Sequence, residues 1–330
     1  MLLDTTHHPV PEIPTTPGDW AGLVAQSHLV PDGAPVDDAL VDLAGASRSL
    51  LPPAVRRALD DLRADPGPAG AVLVTGIPTG ELPPTPELPT SPTHKDRLSE
   101  LVLLAVGRAL GEPVGYRPEH GGATVQNLLP VRGTEATQTS TSSAVDLEFH
   151  TETAFHPHRP HYLLLTCLRS DSAASTYLCS VRDVLPHLTA RERAVLAEPR
   201  FRTRVDESFG GTPATPPTPP VAVLGGDPAA PTLLFDADLM DGTDPEAHAA
   251  LHRLAAVAHE RRLGVVLQPG DLLVVDNHSC IHGRSSFAAR YDGTDRWLQR
   301  AFVVDDLAPS APHRTGRTID LDFTHHYPAV

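Results

Sequence analysis

The stretch that most constrains this chain is residues 147–155, Leu-Glu-Phe-His-Thr-Glu-Thr-Ala-Phe. Its β-branched and aromatic residues and its alternating character predict a strand. On a strand, residues two apart point to the same face, so His150 and Glu152 are predicted to project together, with Phe149 and Thr151 on the other side. An imidazole beside a carboxylate supplies two of the three ligands of a facial triad, an arrangement that suits non-haem Fe(II).

The His-x-Asp/Glu pattern is weak evidence on its own, because a chain with 18 histidines and 41 acidic residues contains such triplets by chance. A second triplet, His94-Lys95-Asp96, follows a proline-rich loop and precedes a helical pattern. We interpret it as a solvated helix start and not as a metal site. The triplet at His150 therefore needs support from elsewhere in the chain.

The composition limits the classes of partner and compartment. A length of 330 residues and a hydrophobic content of 40% fit a globular protein with a large core. The net charge of −15 argues against nucleic acids and anionic membranes as partners. No apolar run is long enough to span a bilayer, and residues 1–20 lack the pattern of a signal peptide. Three cysteines without metal-type spacing predict buried free thiols in the cytoplasm.

The order of elements predicts an α+β chain. Residues 1–20 are interpreted as a loose lead-in and residues 21–330 as one domain. Amphipathic patterns predict helices over 51–62, 96–110, 183–197 and 245–265, and apolar runs predict strands near 70–76, 122–128, 162–168 and 272–275. The proline-rich segment 206–222 is expected to be a lid over a site or, alternatively, a plain linker. Asp236 and Asp238 are expected to share one strand face, as a cation clamp or as the opening of a turn.

The third ligand must come from the C-terminal part of the chain. Residues 276–284, Asp-Asn-His-Ser-Cys-Ile-His-Gly-Arg, offer His282, with His278 as the alternative. A strand-like run follows over 296–304, and it carries Arg296 and Arg300 four residues apart. If this run is a strand, both guanidinium groups face the same way, into one cavity or out to solvent.

Together, His150-x-Glu152, the distal His282 and Arg296 fourteen residues later resemble the clavaminate synthase-like Fe(II)/2-oxoglutarate oxygenases. Residues 147–160 and 270–303 are especially similar to the viomycin-type L-arginine hydroxylases, and the resemblance extends over residues 120–305. It implies a distorted double-stranded β-helix (jelly roll) flanked by helices. Glu152 stands where the wider superfamily has aspartate, but glutamate is normal in this subgroup.

The resemblance also implies a role for each candidate residue. His150, Glu152 and His282 would bind the iron, Arg296 would bind the distal carboxylate of 2-oxoglutarate, and Thr176 would assist it. The implied substrate contacts are Gln126, Ser140, Glu152, Asp236, Asp238 and Arg300. Arginine suits carboxylates because its planar guanidinium forms a permanently charged, bidentate pair. Arg296 and Arg300 could instead form surface ion pairs, and Gln126 could be a hydrogen-bonding core residue.

The implied activity uses Fe(II), 2-oxoglutarate and O2 to hydroxylate an unactivated C–H bond of a free L-amino acid. The substrate expected first is L-arginine or a guanidino analogue, oxidised at its β or γ carbon in a natural-product (antibiotic) pathway. A retained carboxylate ligand favours hydroxylation over halogenation, because halogenation needs that coordination position for chloride. The alternatives are desaturation or cyclisation, another substrate such as asparagine, lysine or a carrier-bound residue, and a jelly-roll protein that binds a ligand without catalysis. The sequence does not determine the oligomeric state.

Overall fold

The computed structural model describes residues 8–91, 93–323 and 327. The α-helices are α1 Ala21–Ser27, α2 Asp38–Ser47, α3 Pro53–Ala64, α4 Leu98–Leu110, α5 Val181–Val184, α6 Ala190–Leu196 and α7 Pro245–Arg261. Six short 3-10 helices lie at Pro17–Trp20, Arg48–Leu50, His120–Gly122, Leu185–His187, Glu207–Phe209 and Ala311–His313. No helix of the described residues is long and apolar enough to cross a membrane.

The β-strands fall into two principal sheets and two short hairpin-like pairs. They are β1 Glu12–Pro14, β2 Ala71–Thr75, β3 Glu112–Tyr116, β4 Gln126–Leu128, β5 Leu147–His150, β6 Tyr162–Arg169, β7 Thr176–Ser180, β8 Phe201–Thr203, β9 Leu224–Asp227, β10 Ala230–Leu233, β11 Met240–Gly242, β12 Leu263–Val265, β13 Leu272–Asp276, β14 Cys280–Arg284, β15 Trp297–Val304, β16 Arg314–Thr315 and β17 Thr318–Ile319.

The larger sheet has the strand order β1-β2-β13-β6-β15-β3-β17-β16, with β4 also paired to β15. Its central strands β13 and β6 are mostly apolar because both faces of the sheet are covered. On β13, Leu272 and Val274 pack into the apolar layer beneath helices α1–α4, whereas Leu273 and Val275 pack into the layer on the opposite face. A continuous apolar run is the pattern expected of a strand buried on both sides.

The smaller sheet has the order β12-β7-β14-β5, and its outer face packs against α5, α6 and α7. β14 is hydrogen-bonded on both sides. In the register, His282 lies opposite Leu178 of β7 and opposite His150 of β5. The two sheets form the jelly roll that the resemblance implies, and this register places two of the predicted ligands side by side.

Two sequence-based expectations at the N-terminal side are wrong. Residues 8–20 of the predicted loose lead-in are ordered: Glu12–Pro14 pairs in parallel with β2, and Trp20 is fully buried. Residues 1–7 lie outside the described residues. The triplet at His94 does begin a helix, since the Asp96 carboxylate accepts a hydrogen bond from the Leu98 amide, but Lys95 is not solvated. It is buried and forms an ion pair with Glu100.

Candidate active site

Three predicted ligands meet between the sheets. One ligand atom from each of His150, Glu152 and His282 lies within 4.8 Å of the other two. Nε2 of His282 is 3.2 Å from Oε2 of Glu152, and Nε2 of His150 is 3.9 Å from the same oxygen. Two imidazoles and one carboxylate on one side of a possible ion form the donor set of a facial triad, which suits Fe(II).

His278, the alternative third ligand, points elsewhere. Its ring stacks on that of His161, with 4.2 Å between the centroids, and it does not line the cavity at the triad. The geometry therefore favours His282.

The tautomer of the neutral His150 ring is set by its neighbour on the same strand. Its Nδ1 lies 2.8 Å from the carbonyl oxygen of Glu148, which can only accept a hydrogen bond. The Nδ1 atom therefore carries the proton, and the lone pair is on Nε2, which faces Glu152 and His282.

Glu152 reaches the triad differently from the prediction. Strand β5 ends at His150, and Glu152 lies in a turn that continues through Thr153, whose φ is +50°. The two side chains therefore do not share a strand face. Glu152 is held by Asn277 in the turn between β13 and β14: Asn277 Oδ1 accepts from the Glu152 amide at 2.7 Å, and its Nδ2 donates to the Glu152 carbonyl at 3.2 Å.

The electrostatic environment keeps Glu152 and His282 in their metal-binding protonation states. Burial would raise the pKa of Glu152, but the charge of Arg300 and the hydrogen bond and charges of His282 and His150 lower it to about 2. Burial lowers the pKa of His282 to about 4, and the nearby His150 adds to this effect. At neutral pH the site therefore offers an ionised carboxylate and a neutral imidazole.

The triad opens into a cavity of about 330 Å³. Nine of the ten predicted site residues line it: Ser140, His150, Glu152, Thr176, Asp236, Asp238, His282, Arg296 and Arg300. The exception is Gln126, which is buried behind Arg300 and accepts a hydrogen bond from Arg300 Nε at 2.9 Å. This placement favours the hydrogen-bonding alternative for Gln126 over a direct substrate contact.

Arg300 is surrounded by acceptors. Its guanidinium donates to Gln126, to Glu119 and, at 3.1 Å, to Oε1 of Glu152. The Glu152 carboxylate is thus divided: Oε1 faces Arg300, and Oε2 faces the imidazoles. Glu119 accepts through Oε1 only, because its buried Oε2 has no partner among the described residues. Burial raises the pKa of Glu119, although Arg300 opposes that effect.

Arg296 is buried and lines the cavity. Neither Arg296 nor the neighbouring Arg284 forms a direct ion pair among the described residues, and the charges of Asp171 and Asp146, respectively, act on them only from beyond ion-pair distance. Burial lowers the pKa of both groups to about 10, and for Arg284 the charge of Arg296 adds to the effect. Thr176, which also lines this part of the wall, is buried beside them. Two buried cations and a hydroxyl form a site suited to a carboxylate.

Three aspartates also line the cavity: Asp206, Asp236 and Asp238. Asp236 is buried, Asp206 is half-buried and lies within electrostatic reach of Arg300, and Asp238 is exposed. Asp236 and Asp238 do not share a strand face: Oδ1 of Asp236 accepts from the amides of Asp238 and Leu239 at 2.9 and 2.8 Å and so opens a turn. The turn alternative is therefore right, and Asp236 nevertheless reaches the cavity. Burial raises its pKa to about 6, although the charge of His150 opposes the rise.

Four residues of this site had no role in the sequence-based prediction: Glu119, Asp206, Arg284 and Asn277. Arg284 and Asn277 belong to the segment that supplied His282, and Asp206 begins the predicted lid. Their positions in the sequence could therefore have indicated that they lie near the site. Glu119 follows no motif, and only the fold brings it to Arg300.

Two curated relatives cover most of the chain. The L-asparagine oxygenase of Streptomyces coelicolor is 40% identical over 286 residues, which are 86% of this chain and 85% of that protein. The L-lysine 3-hydroxylase of Catenulispora acidiphila is 38% identical over 266 residues, which are 77% of this chain and 73% of that protein.

Solved structures agree with the fold and the cofactor. Asparagine oxygenase in complex with Fe(II), (2S,3S)-3-hydroxyasparagine and succinate has a TM-score of 0.87 and 35% identity, covering 94% of this chain and 99% of that one. The non-haem iron oxygenase OrfP with Fe and α-ketoglutaric acid has a TM-score of 0.83 and 30% identity, covering 94% and 100%. OrfP has also been solved with Fe, succinate and (3S)-hydroxy-L-Arg, with a TM-score of 0.83 and 29% identity over the same shares.

Residues 69–302 match the family described as taurine catabolism dioxygenase TauD, TfdA family. The chain therefore belongs to the TauD/TfdA family, and it is an Fe(II)/2-oxoglutarate-dependent dioxygenase.

Proposed function

We propose that this dioxygenase hydroxylates the β or γ carbon of a free L-amino acid with a cationic side chain, with L-arginine or a guanidino analogue as the first candidate. The observation that carries the proposal is the polarity of the cavity. The buried guanidinium of Arg300 and the buried carboxylate of Asp236 both line it, and the carboxylates of Asp206 and Asp238 add further negative charge.

We assign the metal to His150, Glu152 and His282. The donor set and its protonation states fit Fe(II), and Arg300 occupies Oε1 of Glu152, so that the carboxylate offers a single oxygen, Oε2. When bound, Fe(II) with 2-oxoglutarate and O2 supplies the oxidising chemistry: one oxygen atom replaces C–H by C–OH, and the other enters the succinate formed as CO2 leaves.

The chain's own residues would orient the amino acid. Four of the five N–H groups of Arg300 donate hydrogen bonds to Gln126, Glu119 and Glu152. One N–H on Nη1 is left for the substrate α-carboxylate. We assign the α-ammonium group to Glu119, which lines the cavity and whose Oε2 has no partner among the described residues. An amino acid bound at both groups presents the carbons next to its α carbon to the metal side of the cavity.

The aspartates of the cavity would select the side chain. The buried carboxylate of Asp236 is costly without a cation beside it, and a guanidinium or ammonium group of the substrate provides that charge. The names of the relatives also include lysine and asparagine as substrates, and both stay as alternatives at this position. A neutral side chain would leave the buried carboxylate of Asp236 without a cationic ligand, which is why we favour a basic amino acid.

The test is turnover on a panel of amino acids. The purified protein is incubated with Fe(II), 2-oxoglutarate and, separately, L-arginine, L-ornithine, L-lysine and L-asparagine, and both succinate and product mass are measured. We expect the gain of one oxygen atom with a basic amino acid, and no product from Glu152→Ala. Turnover of asparagine alone would overturn the basic-substrate proposal, and a loss of two hydrogens would show desaturation.

A further inference from the structure

We propose that Arg284 is a second guanidinium for the distal carboxylate of 2-oxoglutarate, acting together with Arg296 and Thr176. The inference rests on the proposed placement of the co-substrate beside those two residues. It assigns a co-substrate-binding role to a side chain that is two residues from the candidate ligand His282 on the same strand.

The strand register directs Arg284 into the cavity. His282 and Arg284 are two apart on β14, so their side chains leave the same face of the sheet. The Cα position opposite Arg284 on β7 is Thr176, and Leu147 of β5 lies opposite on the other side. Arg284 and Thr176 are therefore neighbours on one face, and both line the cavity together with Arg296.

The guanidinium of Arg284 contacts no carboxylate among the described residues, and the charge of Asp146 acts on it only from beyond ion-pair distance. The Arg284 side chain is only 5% exposed, and its hydrogen-bond acceptors are neutral: Ser142 Oγ at 2.9 Å, the Ser285 carbonyl at 3.2 Å and the Val145 carbonyl at 3.5 Å. A buried cation without a carboxylate in contact is strongly unfavourable. The contrast with Arg300, which contacts two carboxylates, indicates that the anion for the Arg284–Arg296 pair comes from a ligand.

A purely structural role is the competing explanation. Arg284 links the 142–145 loop to β14, and its guanidinium lies 5.1 Å from the centroid of the Phe287 ring. These contacts account for where the side chain lies but not for its charge. The two explanations differ in what they predict for ligands with and without a distal carboxylate.

The test compares two oxo acids on the Mn(II)-loaded protein without O2. Calorimetry gives the dissociation constants of 2-oxoglutarate and of 2-oxobutanoate, which has the same chelating end but no distal carboxylate. We expect Arg284→Gln to weaken 2-oxoglutarate binding by about 10- to 100-fold and to leave 2-oxobutanoate unchanged, and Arg284→Lys to weaken it less. The exposed Arg290→Gln is the matched control and is expected to change neither constant.

Equal weakening of both acids by Arg284→Gln would show that the side chain only supports the loop and would overturn the inference, as would no change in either. Arg296→Gln tests the placement on which it rests. If Arg296→Gln leaves 2-oxoglutarate binding unchanged, the placement itself fails, whatever Arg284→Gln does.

Discussion

The side-chain carboxamide of Asn277 binds both backbone polar groups of Glu152. Its Oδ1 accepts from the Glu152 amide at 2.7 Å, and its Nδ2 donates to the carbonyls of Glu152 and Pro160 at 3.2 and 2.9 Å. Asn277 is fully buried and leads directly into β14, the strand of His282. A single side chain thus connects the turn of one candidate ligand to the strand of another.

Replacing Asn277 by Asp should weaken metal binding. The variant keeps an oxygen that accepts from the Glu152 amide. Its second carboxylate oxygen, however, replaces the NH2 donor and is repelled by the two carbonyl oxygens, so the Glu152 turn should shift. We expect the dissociation constant of Mn(II) to rise by about 10- to 100-fold. Asn127→Asp is the control, because Asn127 also bonds a backbone carbonyl, that of Pro89, but lies outside the cavity wall. Equal metal affinity in wild type and Asn277→Asp would show that Glu152 is positioned without this contact.

Glu119→Gln should affect the amino acid and spare the co-substrate. Glutamine can still accept from Arg300 through its amide oxygen, whereas the position of Oε2 becomes an NH2 donor facing the α-ammonium. We expect the Michaelis constant for the amino acid to rise by about 10- to 100-fold, and that for the oxo acid to stay within about twofold. Steady-state kinetics with each substrate varied in turn checks this. A parallel rise in both constants would instead indicate general damage to the site.

Asp236→Asn should change substrate choice without breaking the turn. The asparagine oxygen can still accept from the amides of Asp238 and Leu239, so we expect the thermal midpoint to stay close to that of the wild type. The lost charge should lower kcat/KM for basic amino acids by about 10- to 100-fold relative to a neutral one. Competition between L-arginine and L-asparagine in one reaction measures the ratio directly. An unchanged ratio would remove Asp236 from the proposed recognition of the side chain.

His161 should make stability fall as the pH rises above neutrality. Burial lowers its pKa, but hydrogen bonds to Asp276 and Asp305 raise it to about 9, above the unfolded value of about 6.5. A raised pKa stabilises the fold fully below pH 6.5, and this contribution is lost as the pH rises through 9. Denaturant unfolding at pH 6, 7.5 and 9 should show a larger decline for the wild type than for His161→Gln. Burial and the charge of His161 lower the pKa of the stacked His278 to about 4. His278 therefore stays neutral throughout this pH range. Parallel declines in the two proteins would contradict the prediction.

Phe209→Ala should loosen the segment 206–222 that we propose as a lid. Phe209 is buried against the rings of Tyr116 and Phe155, with centroids 5.6 and 5.0 Å away, and it lines the cavity. Losing this burial costs about 2 kcal/mol, or roughly a 30-fold larger population of open forms. Limited proteolysis should then cut within 206–222 faster than in the wild type, and substrate should protect it. Unchanged cleavage would favour the linker alternative.

The sequence-based predictions were most accurate where the residue types and their spacing indicated the same structure. The jelly roll, the iron-dependent family and the buried strands β6, β13 and β15 are confirmed. Arg296 and Arg300 do face one cavity, because spacing by four along a strand returns to the same face.

Other features depend on contacts between distant segments and have no local signature. β5 stops at His150 because Asn277, more than 120 residues later, binds the next turn. Helix 183–197 is interrupted at Leu185–His187, and the predicted helix over 245–265 ends at Arg261, since Leu263–Val265 pairs with β7. Glu119 reaches Arg300 only through the packing of β3 and β15.

The spacing of Arg296 and Arg300 has a consequence for where oxidation can occur. Arg300 lies on β15 and Arg296 immediately precedes this strand, so four residues of extended chain separate the two anchors by roughly 13 Å. If one guanidinium binds the oxo acid and the other binds the amino acid, the extended chain fixes the distance between the two bound carboxylates. The carbon that meets the metal is then counted from the carboxyl end of the amino acid, and lengthening its side chain changes affinity before it changes regiochemistry.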